Sequence, residues 1–146
     1  MELTHTIEID RPIADVFRFV ATDHEKNHAR WDPSVTDIRQ TSEGPVGIGT
    51  EFKFNRMIMG KSTPMQFEVI DLQHNESVTF EITGPMRMTM HMTLEPIGDA
   101  RTKLTFHGTG ELDLMMRMFE PMILSQMNTE LAAAQQRIKT LLESEG

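Results

Sequence analysis

His24-Glu25-Lys26-Asn27-His28 has the spacing H-E-x-x-H. On a helix that spacing sets two imidazoles on one face as zinc ligands and leaves the glutamate as a general base for hydrolysis. The surroundings argue against it. The segment is short and polar, lacks apolar flanks, and stops at Asp32-Pro33, because the residue before a proline is biased away from helix. A catalytic zinc needs a third protein ligand, and none stands at a recognisable spacing. His24 and His28 are therefore expected as solvated helix residues, or as an adventitious surface metal site, and a zinc-dependent hydrolase is the weakest functional reading. No cofactor is implied.

Acid–base chemistry needs a polar group facing an apolar interior. Arg56 shares strand parity with Phe52 and Phe54, and Asp71 with Phe67 and Val69. Glu120 and Gln126 lie beside the apolar stripe of a C-terminal helix. Arg56, Asp71 and Glu120 are the catalytic candidates, and each also reads as a solvated edge residue. His91 and His107 alternate with apolar neighbours and should face solvent. No Ser-His-Asp set or phosphate loop is present, and with 0 Cys and 0 Tyr the chain has neither thiol nor phenol to offer.

The elements that must position these groups are legible from periodicity. Met86, Met88, Met90, Met92 and Leu94 fall on alternate residues, opposed by Arg87, Thr89, His91 and Thr93. This is a half-buried strand. Methionine is soft and unbranched, and suits a surface that adapts to what it touches. The stripe reads either as the wall of an adjustable cavity or as an ordinary core face. Five further strands begin near Thr4, Val35, Thr50, Thr63 and Val78, and a last one carries Leu104 and Phe106. Short turns between successive strands predict an antiparallel meander. Asp10 and Pro12 predict a helix start, Asp10 serving as N-cap, with Ile13, Val16, Phe17 and Val20 at helical spacing. Phe119, Ile123, Met127, Leu131, Ala134, Ile138 and Leu141 predict a long C-terminal helix, with Pro121 near its start. Gly108 and Gly110 strip the inner face of the last strand, for close packing or for a ligand.

A chain of 146 residues with 38% hydrophobic and 25% charged residues suits one globular domain spanning 1–146. No apolar run reaches the roughly 20 residues of a membrane span, and the first residues do not resemble a signal peptide, so a cytoplasmic location is expected. A net charge of −8 without a basic cluster argues against nucleic acid or anionic membrane as partner. Nothing indicates an oligomeric state.

The element order, together with Ile7-Glu8-Ile9-Asp10-Arg11-Pro12, Val16-Phe17-Arg18-Phe19-Val20, Trp31-Asp32-Pro33-Ser34-Val35 and Gly44-Pro45-Val46-Gly47-Ile48-Gly49-Thr50, resembles the START/Bet v 1-like (SRPBCC) superfamily. The local resemblance is to its polyketide cyclase/dehydrase-type branch. It implies an α+β helix-grip fold, in which a curved antiparallel sheet wraps a long C-terminal helix and two short helices lie near the N-terminus. It also places Trp31 where the short helices meet the sheet, as cavity rim or end-plug. The expected function is binding of a hydrophobic small molecule, lipid-like, aromatic or polyketide-like. Its lining would be Phe52, Phe54, Met65, Phe67, Phe80, Ile82, Met88, Met90, Met92, Phe106, Phe119, Met122, Ile123 and Met127. The alternative is a cyclase, aromatase or dehydratase acting on such a ligand, and a co-chaperone or protein-interaction role has no residue in its favour.

Overall fold

The computed structural model describes residues 1–145. Strand β1 (Glu2–Ile9) leads into α1 (Ile13–Phe17), which widens into a π-helical turn over Arg18–Thr22, and then into α2 (His24–Trp31). Six strands follow: β2 (Val35–Gln40), β3 (Glu51–Ile58), β4 (Lys61–Gln73), β5 (Ser77–Thr83), β6 (Arg87–Ile97) and β7 (Arg101–Glu111). A 3-10 turn over Met116–Phe119 runs into α3 (Glu120–Glu145), so Pro121 lies in the first turn, where its missing N–H is harmless.

The strands form one curved seven-stranded antiparallel sheet, ordered β1-β7-β6-β5-β4-β3-β2. Each hairpin pairs neighbours in sequence, and β1 returns to lie beside β7. This is the helix-grip arrangement. Its concave face carries Phe52, Phe54, Phe67, Val69, Phe80, Met90, Met92, Leu104 and Phe106, all buried. No helix of the described residues is long and apolar enough to cross a membrane.

Two sequence expectations fail locally. Asp10 does not cap α1, whose N-cap is Pro12 with no side-chain hydrogen bond. The Asp10 carboxylate instead lies 2.7 Å from Arg101 Nε. Asp71 does not share the inner face of Phe67 and Val69, because the β4–β5 register shifts between Val69 and Asp71. A bulge adds one residue and reverses parity beyond it. Leu72, opposite the buried Val78, takes the inward position instead.

The seating of α3 decides where space is left. Its buried residues, Ala134, Gln135, Ile138 and Leu142, all belong to its C-terminal half. There Gln135 Nε2 donates to the carbonyls of His5 at 2.9 Å and Leu104 at 3.3 Å, tying the helix to β1 and β7. In the N-terminal half Ile123 and Met127 are only half-buried and Met122 is exposed. That half stands off the apolar face of the sheet and touches β1 at its edge, where Asn128 Oδ1 is 2.9 Å from His5 Nε2.

Candidate ligand-binding cavity

The space beneath the N-terminal half of α3 is a cavity of about 450 Å³. That volume lies within the range of small-molecule sites. Met65, Phe67, Phe80, Ile82, Met88, Met90, Met92 and Phe106 form its sheet wall, and Phe119, Met122, Ile123, Met127, Leu131 and Ala134 its helix wall. Trp31 and Phe54 close the end nearest α2. Of the expected lining residues only Phe52 is absent, because it sits one layer deeper, stacked on Phe67 with centroids 4.7 Å apart. Met57, Ile58, Met59, Pro85, Met86 and Met116 also line the cavity, and Met57 and Met59 are exposed.

The methionine stripe and the two glycines explain each other. In the β6–β7 register Met90 faces Gly108 and Met88 faces Gly110. A Cβ at Gly108 would meet Met90 Cε at 3.3 Å, and one at Gly110 would meet Met88 Cγ at 3.1 Å. The missing side chains are therefore filled by flexible thioethers from the neighbouring strand. The helix does not come closer there.

Six polar side chains line the cavity, and they form one seam across three elements. His24, His28 and Asp32 follow each other at intervals of four along α2 and its C-cap, so they share one helix face. The two imidazole centroids are 4.4 Å apart, and His28 Nε2 is 4.0 Å from Asp32 Oδ2. Arg56, from β3, pairs with Asp32 and lies 3.8 Å from Glu130 Oε2 on α3. Gln126 Nε2 reaches Glu130 at 3.4 Å.

The histidines are not solvated. His24 is 2% exposed and surrounded by Trp31, Phe52, Phe67 and Phe80. His28 packs on Trp31 and Phe54. On an eight-residue helix the polar Glu25, Lys26 and Arg30 mask an inner face made of His24, Asn27, His28 and Trp31. Burial pushes the His24 pKa down from 6.5 to about 4, partly offset by its bond to the Val20 carbonyl. That carbonyl, 2.9 Å from Nδ1, can only accept, so the proton sits on Nδ1 and Nε2 carries a lone pair without a partner. Burial also holds His28 well below its ordinary value, and the adjacent His24 and Arg56 act in the same direction. Both rings are neutral at pH 7.

Glu25 points away from this face, its carboxylate accepting from the Gln40 backbone N–H. Among the described residues no three His, Asp or Glu side chains are grouped to hold a metal ion. The hydrolase geometry, with a glutamate base beside a zinc on two histidines, is therefore not formed. Of the acid–base candidates, Arg56 lines the cavity, whereas Asp71 and Glu120 do not. Glu120 stands outside the mouth, 3.8 Å from the N-terminal ammonium. His91 and His107 are cross-strand partners on the outer sheet face, bonded to Thr79 and Glu2. Sequence reasoning missed Asp32 and Glu130; only the spacing His24–His28–Asp32 could have revealed the first.

The sequence pattern of the family described as polyketide cyclase / dehydrase and lipid transport matches residues 1–143. No curated protein matches the chain by sequence. Among solved structures, a START superfamily protein from Mycobacterium smegmatis superposes with a TM-score of 0.81 at 15% identity, covering 99% of each chain. An aromatase/cyclase, Zhui from Streptomyces sp. R1128, gives 0.77 at 14% identity over 98% of this chain and 93% of that one. Ara h 8.0201 gives 0.73 at 16% identity over 99% and 98%. Likeness at these identities is likeness of fold.

Proposed function

This chain belongs to the polyketide cyclase/dehydrase and lipid transport family, and from that premise we propose that it binds a hydrophobic small molecule between its sheet and α3. The observation that carries the reading is the methionine-walled cavity of about 450 Å³. Affinity comes from burying ligand surface, at about 25 cal/mol per Å² removed from water. The thioether walls let that surface vary in shape, so the specificity is broad.

The test uses N-phenyl-1-naphthylamine, a neutral dye that brightens in apolar surroundings. The protein should bind it saturably with one site. Ala134→Phe, which puts a ring into the cavity from α3, should weaken that site at least tenfold while the circular-dichroism spectrum stays unchanged. No saturable binding, or equal binding by the folded variant, contradicts the proposal.

A second reading draws on the polar seam. His28, neutral beside the cavity, is the group a cyclase or dehydratase would need to take up a proton, with Asp32 held next to it by Arg56. Turnover of a poly-β-ketone analogue, lost in His28→Leu and Arg56→Met, would support it. Absence of turnover leaves binding alone.

A further inference from the structure

The polar seam carries a consequence for which ligands enter. In the seam, one guanidinium, Arg56, stands against two carboxylates, Asp32 and Glu130. The remaining members are Gln126 and two histidines that burial keeps uncharged. The seam therefore holds no spare positive charge. It does hold spare acceptor capacity: each carboxylate oxygen, although it already faces Arg56, Gln126 or the Ser34 backbone N–H, keeps a second lone pair, and the neutral His28 ring has one. His28 Nε2 and Asp32 Oδ2 stand 4.0 Å apart, too far for a direct hydrogen bond. The rest of the lining is almost entirely hydrocarbon and thioether.

We propose that the seam of His28, Asp32, Arg56 and Glu130 selects a ligand with an apolar body and a neutral hydroxyl, a phenol or an alcohol, and rejects carboxylates and phosphates. The inference rests on the binding function above and narrows its ligand class. A hydroxyl brings the proton that the seam's acceptors lack, and its bond to a charged acceptor is stronger than an ordinary one. An anion brings a second like charge into a site whose low dielectric magnifies repulsion, with the one cation already engaged. An unsubstituted hydrocarbon fills the cavity but leaves the seam unpartnered.

Displacement of N-phenyl-1-naphthylamine at pH 7.5 by naphthalene, 2-naphthol and 2-naphthoic acid tests this with one ring system and three heads. Naphthol should displace the dye about tenfold more strongly than naphthalene, and naphthoate more weakly than naphthalene. Glu130→Gln, a change at the exposed end of the seam, should strengthen naphthoate several-fold relative to naphthalene. Asp32→Asn, which frees the Arg56 guanidinium, should strengthen it further. The inference is overturned if naphthol gains nothing over naphthalene, if naphthoate matches naphthol, or if neither variant alters naphthoate. Those outcomes leave the binding function standing, whereas failure of the dye and all three naphthalenes to bind removes both.

Discussion

At the scale of single residues, the least ordinary feature is a histidine buried among aromatic rings. His24 has no charged partner, and its one hydrogen bond runs to the Val20 carbonyl. The unfolded chain takes up a proton near pH 6.5, whereas the folded one resists until about pH 4. A group with a lowered folded pKa that must stay neutral stabilises the unfolded state as pH falls through this window. Stability should therefore be full above pH 7 and decline towards pH 4, by roughly 3 kcal/mol from His24 alone. His28 adds to the decline, since burial lowers it too. Urea unfolding at pH 7.0 and pH 4.5 checks this: the wild-type midpoint should drop clearly, and that of His24→Phe should drop less. Equal drops would mean that His24 does not carry the pH dependence.

At the scale of elements, the two glycines of β7 behave differently despite equal parity. Gly108 is met by the flexible ends of Met90 and Met88, whereas a Cβ at Gly110 also comes within 3.3 Å of the Arg87 carbonyl. Gly108→Ala should change stability by less than about 1 kcal/mol, because a strand glycine is itself unfavourable and the thioether can move. Gly110→Ala should cost about 1–3 kcal/mol. A reversed order in thermal unfolding would contradict the packing of β6 on β7. Gln135 fastens α3 to two strands through one amide, so Gln135→Leu should cost roughly 1–3 kcal/mol. Period two and period 3.6 made most of these elements legible, including the methionine stripe, the meander and the long helix. What they could not show was anything depending on a break in period or on a very short element. The bulge after Val69 turned Asp71 outward, and α2 was too short for its inner histidines to stand out from its charges. The seam joins Asp32, Arg56 and Glu130 from three distant segments, a convergence that exists only once the sheet has curled around α3.

At the scale of the whole molecule, α3 buries side chains against the sheet only along its C-terminal half, and polar contacts at the sheet edges, Asn128 to His5 and Glu130 to Arg56, hold the other half. Gln135, Ile138 and Leu142 seat the C-terminal half, while the N-terminal half and the 3-10 turn before it roof the cavity and present Met122 and Phe119 partly to solvent. A guest beneath that roof binds the folded chain alone, so it should raise stability by about 2.7 kcal/mol at a hundred times its dissociation constant. The melting temperature should climb with concentration of N-phenyl-1-naphthylamine, and Ala134→Phe should abolish the climb. The most direct measurement is a crystal structure grown with 2-bromonaphthalene, read by the anomalous signal of bromine. One strong peak is expected between Phe67, Met90 and Ile123. Bromine found only on the outer surface, with the sheet and helix walls in contact and no room between them, would contradict it.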